Sequence, residues 1–156
     1  MTRRLTVLVM ALLVGCTQAP PQPARTCVDF AAYKDGQKVK GSLSIDELSF
    51  SSGPTRPLVF QAAPRGGVAL KIVKHVVVTT PGPDQHFEVT YVANSPQPIR
   101  VQTYAENGAI QQSLALAAEP RRTALVQRID DPRETRTVGF SGGGDQGLLV
   151  RFCVVK

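Results

Sequence analysis

Ile99-Arg100-Val101-Gln102-Thr103-Tyr104-Ala105-Glu106-Asn107-Gly108-Ala109-Ile110-Gln111-Gln112-Ser113-Leu114-Ala115-Leu116 is two alternating runs joined by Asn-Gly. That dipeptide favours a two-residue type I′ turn, which fixes the register of the flanking strands. With Asn107-Gly108 as the loop, Glu106 faces Ala109 and the pairs run outward. Ala105/Ile110, Val101/Leu114 and Ile99/Leu116 share one apolar face. Tyr104/Gln111, Gln102/Ser113 and Arg100/Ala115 share the other, which is mostly polar. Only Thr103/Gln112 breaks the pattern. A slip of one residue would invert every side chain, so the agreement supports both the hairpin and its faces.

The same alternation continues on both sides. Strands are expected at 27–30, 47–50, 58–61, 68–79, 86–93, 99–106, 109–116, 124–129, 137–141 and 148–155, with 68–79 either two strands or one bent strand. Gly, Pro, Asn and Asp punctuate the chain at intervals of roughly eight to twelve residues, the spacing of a sandwich or barrel. Sustained helical periodicity is absent. The Ala-rich stretch 113–119 is the only competitor, and Pro120 would stop it. The expected fold is all-β: an antiparallel two-sheet β-sandwich spanning 26–156.

The N-terminus reads differently. Arg3 and Arg4 precede an apolar run from Leu5 to Val14 that ends in Leu13-Val14-Gly15-Cys16. Ten or so apolar residues are too few to span a bilayer, which needs about twenty, but they suit the core of an export signal. Leu13-Val14-Gly15-Cys16 resembles the lipobox of bacterial lipoproteins at all four positions. The resemblance implies a signal peptide over 1–15 and a mature chain beginning at Cys16. Cys16 would then carry a diacylglyceryl thioether and an acylated (palmitate-type) amine, anchoring the chain to the lipid bilayer. Several acyl chains together make a stable membrane anchor where one does not. Thr17 follows where an inner-membrane lipoprotein often has Asp, so the expected address is the bacterial cell envelope, at the outer membrane in a Gram-negative cell. An uncleaved anchor helix, or an ordinary secretory signal cut elsewhere, is the alternative.

Residues 16–25 carry three prolines and no large apolar side chain, the composition of an extended tether. The chain's formal charge of +6 falls to +4 without Arg3 and Arg4. The cations are dispersed, with no run of five or six, which argues against a nucleic-acid partner. The length of 156 residues suits one domain.

Cys27 and Cys153 lie in the first and last expected strands of an exported chain, where disulfides persist. Pairing those strands antiparallel with Cys27 opposite Cys153 sets Val28 against Phe152 and Phe30 against Val150 on an apolar face. It also sets Asp29 against Arg151, a favourable cross-strand charge pair. A Cys27–Cys153 disulfide is therefore expected, with two free thiols as the alternative.

Cys27-Val28-Asp29-Phe30, the Asp35-Gly36 loop, a strand ending at Phe50, the Asn107-Gly108 hairpin and a Gly-rich turn into 148–155 together resemble galactose-binding-like jelly-roll domains. The resemblance implies two antiparallel sheets whose first and last strands are neighbours. Many such domains carry an aromatic sugar platform or a structural calcium near the chain ends. This chain departs from both patterns, having no Trp and no tight acidic cluster.

Catalytic motifs are missing: there is no Gly-x-Ser-x-Gly, His-Glu-x-x-His or Cys-x-x-Cys. His75 reads as a sheet histidine, His86 as exposed, and Asp130-Asp131 as solvated loop charge. The stretch 141–147 (SGGGDQG) lacks the Gly-Lys-Ser/Thr and helix of a phosphate loop, and reads as a turn whose glycines reach positive φ. No enzyme activity, metal or cofactor is expected. Arg100, Gln102, Tyr104, Gln111 and Ser113, on the outward hairpin face, are the candidate ligand-binding residues. Two functions follow from the whole: a non-enzymatic envelope lipoprotein serving structure or binding an envelope protein, or a carbohydrate-binding module displayed on the envelope and facing a glycan.

Overall fold

A computed structural model describes residues 24–93, 97–119 and 123–156. Among them are eleven strands: β1 Arg25–Asp29, β2 Lys38–Val39, β3 Ser42–Ile45, β4 Leu48–Ser51, β5 Leu58–Ala62, β6 Val68–Lys71, β7 His75–Val92, β8 Ile99–Tyr104, β9 Ile110–Leu116, β10 Leu125–Gly142 and β11 Leu148–Val155. The only helical turn described is a 3-10 turn at Gly144–Gln146. The expected signal peptide, Cys16 and Pro120 lie outside the described residues. Arg25 already opens β1, and the Lys156 amide donates to Ala24 O at 2.8 Å, tying the two ends of the domain together.

Every ladder is antiparallel, and the strands form two facing sheets that share β7 and β10. One sheet runs β3-β4-β7-β10-β8-β9, using residues 75–79 of β7 and 137–142 of β10. The other runs β2-β5-β6-β11-β7-β10, using residues 86–92 and 125–130, with β1 beside β6 on the same edge of β11. The expected sandwich is thus present, its first and last strands adjacent. Phe140 of the first sheet meets Phe152 of the second edge-on at 6.1 Å, and Phe30 meets Phe50 at 5.4 Å. All six phenylalanines are fully buried in one core.

Two strands of 18 residues replace four expected shorter ones, because the turn signals at 80–84 and 131–134 are corners. Thr137↔Thr79 and Asp130↔His86 belong to one register, yet Thr135 pairs with Asp84 between them. Each strand inserts extra residues in turn and the offsets cancel. Proline is compatible with such bulges because no ladder hydrogen bond is needed there. Strands that change sheets commonly do so through bends of this kind. The buried polar side chains Thr80, Thr103, Asp131 and Thr135 sit in or against this corner. The Thr103 hydroxyl donates to Asp131 Oδ2, and Asp131 Oδ1 accepts the Arg133 amide at 3.0 Å. The Thr135 hydroxyl reaches Tyr104 O at 2.6 Å. Asp131 is therefore buried structural charge in a strand, correcting its expected place in a solvated loop; Asp130 is exposed. Thr103, the exception in the hairpin pattern, faces inward to meet this carboxylate.

Residues 68–79 form two strands, separated by a bend over residues 72–74. β2 and β3 are additions to the expected set: they are short and rich in Ser and Lys. The β3–β4 connection pairs Ile45 with Leu48 across Asp46 and Glu47, both at positive φ (46° and 70°), so the type I′ geometry occurs here.

At Asn107-Gly108 it does not. The Ala105 amide donates to Ala109 O at 2.8 Å and the Gly108 amide to Ala105 O at 2.9 Å, giving a three-residue loop over 106–108 with only Gly108 at positive φ (81°). Tyr104 then pairs with Ile110, one residue off the expected register. A bulge at Gln111 restores it, and Thr103↔Gln112, Gln102↔Ser113, Val101↔Leu114, Arg100↔Ala115 and Ile99↔Leu116 all hold.

The β1–β11 ladder has the expected register, Cys27↔Cys153, Val28↔Phe152 and Asp29↔Arg151, and the disulfide is formed with the Cα atoms 4.0 Å apart. Two details differ. The ladder stops at Asp29, so Phe30 enters the main core while Val150 packs on a small second cluster with Ala69, Val92 and Leu148. The Asp29–Arg151 ion pair is not formed; Asp29 instead accepts the Ala31 amide at 3.2 Å, and Arg25 pairs with Glu88 at 3.2 Å.

Candidate functional site

Alternation along β7, β8 and β10 decides what the outer face of the first sheet displays. Val76 and Val78, Val101 and Thr103, and Val138 and Phe140 point into the core. Their neighbours His75, Val77, Arg100, Gln102, Tyr104, Thr137, Gly139 and Ser141 are left facing outward. Register lays them side by side: Gly139 is opposite both Gln102 and Val77, and Ser141 is opposite both Arg100 and His75.

Gly139 is the centre of this face. A Cβ placed there would lie 2.8 Å from His75 Nε2, 2.9 Å from Tyr104 Cε2 and 3.1 Å from the Tyr104 hydroxyl. The imidazole from β7 and the phenol from β8 therefore meet above the strand between them, in space that only a glycine leaves open. Tyr104 donates to Gln102 Oε1 at 3.0 Å, which holds the phenol along its own strand. Among the tyrosines, Tyr91 is buried and Tyr33 is stacked on Phe60 at 4.1 Å. Tyr104 is thus the ring that the outward face can offer.

Four of the five candidate residues keep their expected place and one does not. Arg100 and Ser113 are exposed, and Gln102 and Tyr104 are half-buried on the outward face. Gln111 occupies the hairpin bulge instead of pairing with Tyr104. Its carbonyl accepts from the Arg133 guanidinium, and its side-chain Oε1 is buried without a partner among the described residues. His75 and Gly139 join the face. Sequence reading put His75 inside an apolar run, where nothing showed that Tyr104 would reach it. The available signal was a glycine in the interior of a strand, a mark of close approach.

Burial holds the His75 pKa below its ordinary value of 6.5, so the ring is neutral at pH 7. The unfolded chain then takes up this proton at higher pH than the folded one does. Stability is expected to fall as pH drops from about 6.5 toward the folded value. Thermal melts of wild type and His75→Gln between about pH 7 and about pH 5 check this: the wild type should lose more melting temperature over that window, and equal losses would assign the drop to other groups.

His86 lies on the outer face of the second sheet, its Nδ1 2.7 Å from Asp130 Oδ1, with Arg128 Nε also 2.7 Å from that oxygen. Hydrogen bonding to Arg128, with a smaller contribution from His86, holds the Asp130 pKa below the usual carboxylate range. This is an exposed charge cluster. Among the described residues, no three His, Cys, Asp or Glu side chains group as a metal site would require. Among the described residues, the large apolar side chains most exposed are Val73, Ile110 and Val126, in three separate segments.

No family model matches the chain, and no curated protein matches it. Solved structures with a similar course of the chain include the C-terminal family 6 carbohydrate-binding module of a laminarinase from Zobellia galactanivorans, with 12% identity and a TM-score of 0.46 over 85% of this chain and 100% of that one. Another is a carbohydrate-binding module from Clostridium stercorarium in complex with cellobiose (11% identity, TM-score 0.44, 84% of this chain and 92% of that one). A low-affinity xylan-binding module from Roseburia intestinalis overlaps at 12% identity and a TM-score of 0.41, over 85% of this chain and 96% of that one. Likeness this distant carries neither a ligand nor a function to this chain.

Proposed function

We propose that this chain is a non-catalytic binding module of the bacterial envelope, anchored through lipid on Cys16, whose outward face around Gly139 holds a saccharide. The observation that carries the reading is the meeting of Tyr104 and His75 above Gly139, with Gln102 fixing the phenol. A ring beside neutral donors and acceptors on rigid strands is the mix that binds a sugar: apolar C–H surface meets the ring, and hydroxyls meet the polar groups.

Gly139→Ala tests the face with little disturbance to the fold. Gly139 does not have a positive φ, so alanine suits its backbone. The added Cβ must displace His75 and Tyr104. Saccharide binding on a glycan array should fall at least about tenfold, roughly 1.4 kcal/mol, with the melting temperature nearly unchanged. Tyr104→Ala should do the same. A wild-type domain that binds no saccharide, or a Gly139→Ala variant that binds as well as wild type, would contradict the reading.

The anchor rests on Leu13-Val14-Gly15-Cys16. Cys16→Ala should abolish fatty-acid labelling and block processing, leaving the precursor outside the lipoprotein pool. A variant that still matures and stays membrane-bound would exclude lipidation at this cysteine.

A further inference from the structure

At one end of this face the bend over residues 72–74 meets the glycine-rich turn before β11. Between them lies a cleft of about 320 Å³ lined by Lys71, Val73, Lys74, Gln97, Gly142 and Gly144. No carboxylate is among the lining residues, and neither lysine is in an ion pair among the described residues. Among the described residues, two ammonium groups share the cleft and no carboxylate lines it.

The backbone on both sides is held in place. The Ile72 amide donates to Gly147 O at 2.8 Å, joining the bend to the glycine turn. The His75 amide donates to Val73 O at 3.0 Å across Lys74, whose φ is 73°. This is the γ-turn with a positive central φ, rare and strained for a residue with a Cβ. Opposite it, Gly142, Gly143 and Gly144 have φ of 83°, 74° and 57°. A Cβ at Gly142 would lie 2.6 Å from Pro98 O, and one at Gly143 2.8 Å from Ile99 Cγ1. The cleft lies beside the candidate site along the chain: Lys74 precedes His75, and Gly142 follows Ser141, whose partner is the exposed Arg100.

We propose that this cleft takes the anionic group of an acidic saccharide, a carboxylate or sulfate ester seated between Lys71 and Lys74, while the rest of the ligand runs over Gly139. The inference rests on the saccharide reading above and adds to it the class of sugar. Lys71 and Lys74 supply the charge recognition, Arg100 extends the cationic edge, and Tyr104 and Gln102 take a neutral part of the same chain.

The test compares a uronate oligosaccharide with a neutral oligosaccharide, and inorganic sulfate with anionic phospholipid vesicles, by calorimetry and by amide shifts of residues 142–144. The variant is Lys71→Gln with Lys74→Gly; glycine keeps the positive φ at position 74 without charge, so the fold should be as stable or more so. Wild type should bind the uronate more tightly than the neutral sugar, with affinity that falls as salt rises. The variant should lose about tenfold in uronate affinity while binding the neutral sugar as before. Equal uronate binding by variant and wild type, or affinity indifferent to salt, would overturn the cleft's role and leave the saccharide face standing. Sulfate or vesicles moving the 142–144 amides while neither sugar binds would overturn both the acidic-saccharide assignment and the face.

Discussion

Replacing Cys27 and Cys153 by alanine should lower the stability of the domain by about 3–5 kcal/mol and its melting temperature by about 10–15 °C. The two cysteines are 126 residues apart, so the bond constrains nearly the whole domain in its unfolded state. A domain of this size has a total stability of about 5–15 kcal/mol, so the loss is a large share of it. The folded state suffers as well. β1 has β11 as its one strand partner, and its inward residue Val28, with Phe30 beyond it, fills the core. Without the bond this strand should fray first, and amide exchange over 25–29 should accelerate more than over the central strands. Cys27 is exposed, so a mild reductant should give the same result as the double variant. A shift of less than about 3 °C would show that the hydrophobic contacts of Val28 and Phe30 hold the chain ends together unaided.

Asp131→Ala should cost about as much, roughly 3–5 kcal/mol, through loss of a buried charged partner. The Asp131 side chain is fully buried and joins the Thr103 hydroxyl, the Arg133 amide and the Arg133 guanidinium at the corner where β10 changes sheets. Removing it leaves a hydroxyl and an amide without acceptors and a void beside them. Thr103→Val, which keeps the shape but not the donor, should cost about 1–3 kcal/mol. In a double-mutant cycle the two should be strongly non-additive, since each variant breaks the same bond. Urea unfolding of the four proteins checks this. Additive losses would mean that the corner is held by its backbone ladder alone.

These two sites show what a sequence of this kind displays and what it hides. The disulfide register was legible because both flanking segments alternate and the cysteines lock them together; one choice of register brought Val28 onto Phe152. The hairpin was legible in the same way through five pairs. Its turn was not, because Asn-Gly also serves a three-residue loop with Gly108 alone at positive φ, and the bulge at Gln111 absorbs the difference. Local turn chemistry left both geometries open, whereas burial of Ile99, Val101 and Leu116 admitted one register. The expected strands break at 80–85 and 130–136 because prolines and glycines punctuate bends and turns alike. Only the ladder partners on either side show that β7 and β10 pass through. His75 became part of the site for a similar reason: its meeting with Tyr104 depends on two strands and on the missing side chain between them.

The most direct measurement of the central claim is amide and side-chain shift mapping of the mature domain titrated with a neutral oligosaccharide. The predicted result is a contiguous set of shifts at His75, Gln102, Tyr104, Gly139 and Ser141, saturating with ligand and absent in Gly139→Ala. Saturable binding whose shifts fall elsewhere, on the second sheet around His86 or at the hairpin tip, would contradict the assignment of this face.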